Sequence, residues 1–361
     1  MPEAPPPEQQ HRVDDEGHAM TKAKASGQAK IPVTILTGFL GSGKTTLLNR
    51  ILREQHGHRI AVIENEFGEV GVDNEILLQD PDEQIVEMNN GCICCTVRGD
   101  LIRILGELEK KHRKLAFERV IIETTGLADP APVAQTFFVD ESISEAYLLD
   151  SIITVVDAKH APQQLDAHHE AQEQVGFADR ILLSKTDLVS ESEATALIER
   201  IRRMNPRAPV QPVHFGEADI RDLLDVRGFN LNSILEIEPA FLEDVTHEHD
   251  DEIGSFAWRE DRPFDLAKLE DFLDGVIRFY GADLLRYKGV LNIAGEDTRM
   301  VFQGVHMMMG GSPGRRWLAG EKRTSTMVFI GRNLPRELLE QGLALCVEGA
   351  AEPVAPGTSA R

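Results

Sequence analysis

Val33-Thr34-Ile35-Leu36-Thr37-Gly38-Phe39-Leu40-Gly41-Ser42-Gly43-Lys44-Thr45-Thr46 joins a short β-branched, apolar run to a turn punctuated by glycine and closed by Lys-Thr-Thr. The run Val33 to Leu36 predicts a buried strand, and the turn has the spacing of a phosphate-cradling loop with a helix to follow. In such a loop the glycines free the backbone to aim successive N–H groups at phosphate oxygens. Lys44 supplies a positive charge and Thr45 offers its hydroxyl to Mg²⁺. Gly38, Gly41, Ser42, Gly43, Lys44, Thr45 and Thr46 are therefore the expected phosphate-side contacts.

Outward from this loop, short β-branched runs alternate with helical patterns: Ile60 to Ile63, Ile85 to Met88, Val120 to Ile122, Ile152 to Val156, Ile181 to Leu183 and Val210 to Val213. This alternation predicts an α/β fold, a P-loop type of mostly parallel sheet with helices on both faces. Leu101, Leu105 and Leu108 mark one covering helix; Leu197, Ile198 and Ile201 mark another. The pattern stops near Asn230. A second unit then reads as a smaller α+β domain: a strand at Ser255 to Trp258, and a helix with Leu266, Leu269, Leu273 and Val276 on one face. A hairpin follows, Leu284 to Ile293 and Arg299 to His306, turned by Gly295-Glu296-Asp297. Thr326 to Ile330 makes a fourth strand, before a helix opened by Pro335. The expected division is an N-terminal extension over 1–30, a nucleotide-binding domain over 31–232, an acidic linker over 233–252, the α+β domain over 253–347 and a tail over 348–361. The proline-rich opening lacks the apolar core of a signal peptide, and Met20 is a candidate translation start.

The 361 residues carry a formal net charge of -22, spread along the chain, which argues against a nucleic-acid or anionic-membrane binder. With no long apolar run, the expected location is the cytoplasm. Only four cysteines occur. Three of them, in Gly91-Cys92-Ile93-Cys94-Cys95, lie too close together for a disulfide framework and read as reduced thiols.

The base is read from other motifs. Ser184-Lys185-Thr186-Asp187 follows the strand Ile181 to Leu183 as a variant of the Asn-Lys-x-Asp guanine motif, with serine in the place of asparagine. The Asp187 carboxylate would accept from guanine N1–H and the exocyclic amine, groups that adenine does not present there, so the expected nucleotide is GTP. Ile121-Ile122-Glu123-Thr124-Thr125-Gly126 supplies the second acidic element. Glu123 would hold a Mg²⁺-bound water, and the Gly126 N–H would meet the γ-phosphate. Leu127 follows, where many GTPases carry a water-orienting glutamine, and no arginine finger is identifiable; slow intrinsic turnover is expected.

Cys92 and Cys94, at i and i+2, share one face of an extended segment, and a turn brings in Cys95. A helix start near Thr96 would lower the thiol pKa and favour metal binding. Three sulfurs with one further ligand satisfy tetrahedral Zn²⁺; Cu(I) is chemically possible, and a redox switch is the stronger competitor for these thiols. The fourth ligand is sought in Glu64-Asn65-Glu66-Phe67-Gly68-Glu69. Each of these motifs follows a strand, so all should share the carboxyl edge of the sheet, where γ-phosphate and metal would be coupled reciprocally. His168 and His169 lie in a polar helical stretch and read as solvated surface. Cys346, with Leu343, reads as packing. The run Met307-Met308-Met309 reads as core or partner-facing surface.

Taken together, Gly38 to Thr46, Glu64 to Glu69, Gly91 to Cys95, Glu123 to Gly126 and Ser184 to Asp187 resemble the CobW family of P-loop GTPases, in its bacterial YjiA-like branch, over about Ile31 to Ala344. The family is related to UreG, HypB and MeaB. The resemblance implies a GTP-dependent metallochaperone tied most often to zinc, with cobalt (Co²⁺) or iron (Fe²⁺) in some branches. It places the metal on Cys92, Cys94 and Cys95 with Glu64 as companion, and it turns the C-terminal domain toward a protein client or the second copy of a homodimer. The long His-rich tract of many members is reduced here to His247-Glu248-His249, which counts against metal storage. Two other functional classes stay open: a metal- or redox-responsive sensor that delivers nothing, and a P-loop kinase acting on a small molecule.

Overall fold

The computed structural model describes residues 30–54, 57–64, 75–78, 86–87, 97–214, 216, 218–224, 226 and 253–350. The first sheet contains β1 (Ile31–Thr37), β2 (Ile60–Glu64), β3 (Glu75–Leu78), β4 (Val86–Glu87), β5 (Arg119–Glu123), β6 (Tyr147–Asp157), β7 (Arg180–Ser184) and β8 (Val210–Pro212), in the spatial order β4-β3-β2-β5-β1-β6-β7-β8. Strands β2, β5, β1, β6, β7 and β8 are mutually parallel, while β3 is antiparallel to both of its neighbours. The α/β expectation is met, with β3 as an addition to it.

Side-chain alternation explains why helices lie on both faces. One set of strand residues, among them Val33, Ile35, Val120, Ile122 and Ile181, packs with α2 (Val97–Leu115), α3 (Ala131–Val139), α4 (Glu141–Ala146), α5 (Ala161–Ala167), α6 (His169–Phe177) and α7 (Glu191–Met204). The alternate set, Leu36, Ile121, Ile153 and Leu182, packs under α1 (Lys44–Arg53) and α8 (Ile220–Leu224). Period-two strands with both faces covered read as continuous apolar runs, which is how they stand in the sequence. Helix α7 is opened by a capping box between Ser190 and Glu193, which satisfies two backbone donors at its start.

The second sheet is antiparallel, in the order β12-β11-β10-β13-β9. Its strands are β9 (Ile253–Glu260), β10 (Leu284–Leu291), β11 (Thr298–Val305), β12 (Met308–Arg316) and β13 (Ser325–Arg332). It has five strands, against the four expected from sequence. The addition, β12, runs through Met308-Met309-Gly310-Gly311-Ser312-Pro313, a composition that signals a loop. It is an edge strand with a register irregularity near Pro313, the setting in which a sheet tolerates proline. One face of this sheet carries α9 (Leu266–Tyr280) and α10 (Arg336–Leu345) over Phe256, Tyr287, Phe302 and Phe329. Cys346 lies in that core at 4% exposure, and burial pushes its thiol up to about 11, so it is packing and not a reactive group.

The opposite face supplies Ile253, Leu285, Val305, Val328 and Ile330 to the same apolar cluster that fills the first domain. The two sheets thus share a core through α6, where a Cβ on Gly176 would come within 2.7 Å of Leu285 Cδ1. A buried ion cluster closes this seam. Asp179 pairs with Arg286 at 2.6 Å and Lys288 at 3.0 Å, and it also accepts from the Ile152 N–H at 2.9 Å. Burial pushes Asp179 up, but the two cations and their hydrogen bonds outweigh it and bring the group down to about 2. Among the described residues no helix is long and apolar enough to cross a membrane.

Candidate functional site

The phosphate loop stands where the sequence places it, between β1 and α1. Gly38 has φ 140° and Gly43, the residue capping α1, has φ 105°. Gly38 cannot carry a side chain on a second count: a Cβ would collide with the Val155 carbonyl oxygen on β6. Lys44 is buried, and its Nζ donates to the Gly38 carbonyl at 2.8 Å, curled over the loop it serves. Burial lowers the Lys44 pKa, opposed by the nearby Glu123 charge, so an anion in the loop would offset the desolvation of this ammonium. Ser42 Oγ is buried with no partner among the described residues, which fits a loop built for a phosphate ligand.

Glu123 ends β5 beside this loop and accepts from Thr45 Oγ1 at 3.2 Å. Paired hard oxygens of this kind are of the type that suits Mg²⁺, which Thr45 and Glu123 could hold. The following segment is fastened to the sheet. Thr124 N–H donates to the Leu36 carbonyl at 2.9 Å and Thr124 Oγ1 to Thr37 Oγ1 at 2.8 Å. Gly126 lies against the phosphate loop, where a Cβ would stand 2.6 Å from the Leu40 nitrogen. Leu127 is exposed.

The serine that opens the guanine-type motif is fastened to its surroundings. Ser184 Oγ is buried and donates to the Ser42 carbonyl at 2.6 Å, tying this motif to the phosphate loop. Lys185 donates to the Gly41 carbonyl at 2.7 Å and pairs with Asp157 at 2.7 Å. It takes a left-handed backbone, φ 57°, to do so, an uncommon conformation of the kind that collects at functional sites. Asp187, in the short 3₁₀ turn Thr186–Leu188, is exposed at this mouth with His214 Nδ1 at 3.6 Å. Asp157, His160 and His214 were not among the expected site residues. Burial would raise Asp157, but hydrogen bonds from Lys185, His160 and the Lys159 N–H outweigh it and hold the carboxylate below its ordinary range. The carboxylate that ends a strand ahead of Lys159-His160 was the available sequence signal.

Strand register settles which edge the acidic elements share. Glu64 pairs directly with Glu123 across β2 and β5. Across β3, Ile63 pairs with Ile76, and Glu75 pairs with Glu87. Since β3 is antiparallel to both neighbours, β4 runs parallel to β2, and the chain leaves Glu87 at the same carboxyl edge that carries Glu64, Glu123 and the phosphate loop. Glu64 and Glu123 are thus about 5 Å apart at the backbone, with Glu87 about 10 Å farther along the edge from Glu64. Cys92, Cys94 and Cys95, and residues 65–69, lie outside the described residues, as do His247 and His249. Among the described residues no cluster of His, Cys, Asp and Glu has the arrangement of a metal site. His168 is exposed against the Phe39 ring, while His169 touches Arg332 and lies 3.3 Å from Glu173. The expected exposure holds for His168 and in part for His169, while the helix that begins there is buried over Ala171 to Phe177.

Phosphate loop, strand-end carboxylate and tethered guanine-type motif on one edge of a parallel sheet define a P-loop GTPase, a GTP-hydrolysing enzyme. The CobW/HypB/UreG nucleotide-binding domain matches residues 32–212, and the cobalamin synthesis protein cobW C-terminal domain matches residues 253–347. The chain belongs to the CobW family. It is 45% identical over 319 residues to the zinc chaperone YjiA of Escherichia coli, covering 87% of this chain and 98% of that one. It is 30% identical over 397 residues to the zinc-regulated GTPase metalloprotein activator 1 of Dictyostelium discoideum, covering 92% and 82%. The crystal structure of zinc-bound YjiA GTPase from E. coli superposes with a TM-score of 0.70 at 40% identity, over 88% of this chain and 99% of that one.

Proposed function

We propose that this GTPase is a zinc metallochaperone, which takes up Zn²⁺ at Cys92, Cys94 and Cys95 with Glu64 and releases it under control of GTP hydrolysis. The observation that carries the reading is the register of Glu64 beside Glu123 at the edge holding Thr45. The segment entering the proposed metal site and the segment entering the hydrolysis site begin on adjacent strand ends, so ordering one by a phosphate constrains the other. The names of the relatives support zinc as the cargo; Co²⁺ and Fe²⁺ are the other candidates from the sequence. Three thiolates and a carboxylate suit Zn²⁺ best.

In hydrolysis, Gly38 through Thr46 would cradle the phosphates, with Lys44 countering their charge. Bound by Thr45 and Glu123, Mg²⁺ would neutralise charge on the β- and γ-phosphates. Asp187 would select guanine from the exposed mouth, held in register by Ser184 and Lys185. The backbone at Gly126 would contact the γ-phosphate, and Leu127 offers nothing to orient water, so turnover is slow until a client or metal completes the site. A protein client would meet the C-terminal domain on its α9 and α10 side, since the other sheet face is packed against the first domain.

The test is competition against a chromophoric zinc indicator with GTP analogue, GDP or no nucleotide, in wild type and in Cys94→Ala with Cys95→Ala. Zinc affinity should differ at least tenfold between the nucleotide states, a coupling of about 1.4 kcal/mol, and should vanish in the double variant. Equal affinity in all three states would refute coupling, and unchanged affinity in the double variant would refute the site.

A further inference from the structure

Gln174 stands out among the polar groups that the reading above does not use. It lies on α6 at 1% exposure. Its Nε2 donates to the Gly126 carbonyl at 3.2 Å and to the Ala128 carbonyl at 3.0 Å. Both amide hydrogens are thereby directed at the segment that follows Glu123. The opposite amide orientation would set an oxygen against two carbonyls, so the network fixes which way the group points. Front and back of this segment are thus held by different parts of the molecule: Thr124 to β1 in front, Gln174 behind. Gln174 is itself anchored, since its carbonyl accepts from Thr154 Oγ1 at 2.7 Å, and Thr154 pairs in register with Thr37.

The same helix is seated by the C-terminal domain. Glu173 accepts from Arg332 of β13 at 2.8 Å, and the Phe177 carbonyl accepts from Arg286 of β10 at 2.6 Å. Phe177 packs against His306, the rings tilted at 55° with centroids 5.2 Å apart. One nine-residue helix therefore touches the back of the Gly126 segment through one side chain and the second domain through its neighbours.

We infer that Gln174 is a positioning residue for GTP hydrolysis, holding the Gly126 peptide at the γ-phosphate side of the phosphate loop, and that the C-terminal domain supports hydrolysis by seating α6. A glutamine is suited to this task because one planar amide donates two hydrogen bonds, to two carbonyls of one turn, without bringing a charge into a buried space. In this role it acts through the Gly126 segment, to which its amide is committed. Its effect should appear where the γ-phosphate matters and be absent where only the GDP portion is held.

The experiment compares wild type with Gln174→Met, which keeps length and removes both donors. The expected result is a fall in kcat of about tenfold, with a weakened GTP analogue and with GDP affinity within twofold of wild type. Unchanged kcat in the folded variant would overturn the inference, as would a joint fall of kcat, GDP affinity and Tm, which marks a structural role alone. Should Gln174→Met not fold, Gln174→Glu takes its place. Its kcat should recover as pH is lowered from 8 to 6, because a protonated carboxyl regains one donor; a pH profile parallel to wild type would overturn the reading. For the second domain, Arg332→Gln should lower kcat in wild type and add nothing in the Gln174→Met background, whereas full additivity would separate the domain from this residue.

Discussion

The carboxyl edge of the first sheet and the seam between the two sheets are both rich in charge, and they manage it in opposite ways. At the seam, Asp179 pairs out of water with both Arg286 and Lys288, and burial still lowers Lys288 well below its ordinary value. At the edge, Lys44 and Ser42 are buried while their polar atoms turn on their own loop or find no partner among the described residues, and Asp187 faces the open mouth. The difference separates two uses of buried polarity. Groups that complete one another hold a structure together, and groups left to be completed by a ligand define a site at some expense of stability.

The sharpest way to break this comparison is at the seam. Asp179→Ala leaves two buried cations without their carboxylate and should lower the unfolding free energy by about 3–5 kcal/mol in urea titration; a loss below about 1 kcal/mol would erase the distinction. Lys44→Ala should cut kcat/KM on the order of 10²- to 10³-fold while leaving the Tm of the nucleotide-free protein equal or raised, because it removes a desolvated ammonium. A drop in Tm would place Lys44 with the structural set. Acid provides a third test. Asp179 is held at about 2, below its unfolded value of 3.8, so its contribution is complete above pH 4 and is lost as pH falls through the folded value. Stability should decline by about 2 kcal/mol between pH 4 and pH 2, and Asp179→Asn should flatten that decline in an acid-unfolding series. The smallest effect belongs to Ser184→Ala, which removes one tether between the guanine-type motif and the phosphate loop. GTP affinity should weaken by about 1 kcal/mol, roughly fivefold, in a titration with labelled nucleotide.

Much of the fold could be read from the chain because parallel strands buried on both faces are written as uninterrupted β-branched runs, as Val33 to Leu36 and Ile181 to Leu183 show. The elements that escaped had the opposite character. Strand β12 carries Gly310, Gly311 and Pro313, and it pairs only because an edge forgives them. Helix α6 reads Ala171-Gln172-Glu173-Gln174-Val175-Gly176-Phe177, with only Ala171, Val175 and Phe177 given to the apolar core. The rest of it is enclosed because its polar side chains meet particular partners: Gln172 the Leu165 carbonyl, Glu173 Arg332, and Gln174 the Gly126 segment. Periodicity detects a face that avoids water, and it cannot detect polar groups satisfied one by one. For the same reason the phosphate-loop residues were evident from their spacing, while Asp157 and Gln174, which act through contacts with Lys185 and the Gly126 segment far away in sequence, were not.

Because Val305, Val328 and Ile330 help fill the interior of the first domain, the strand ending at Arg332 helps complete a core begun at Ile31. During synthesis the nucleotide-binding half leaves the ribosome first, with an unsealed oily flank, and waits for some of the last residues made to close it. A fragment cut in the acidic stretch between the halves should therefore tend to clump, and the intact chain should melt in a single calorimetric step.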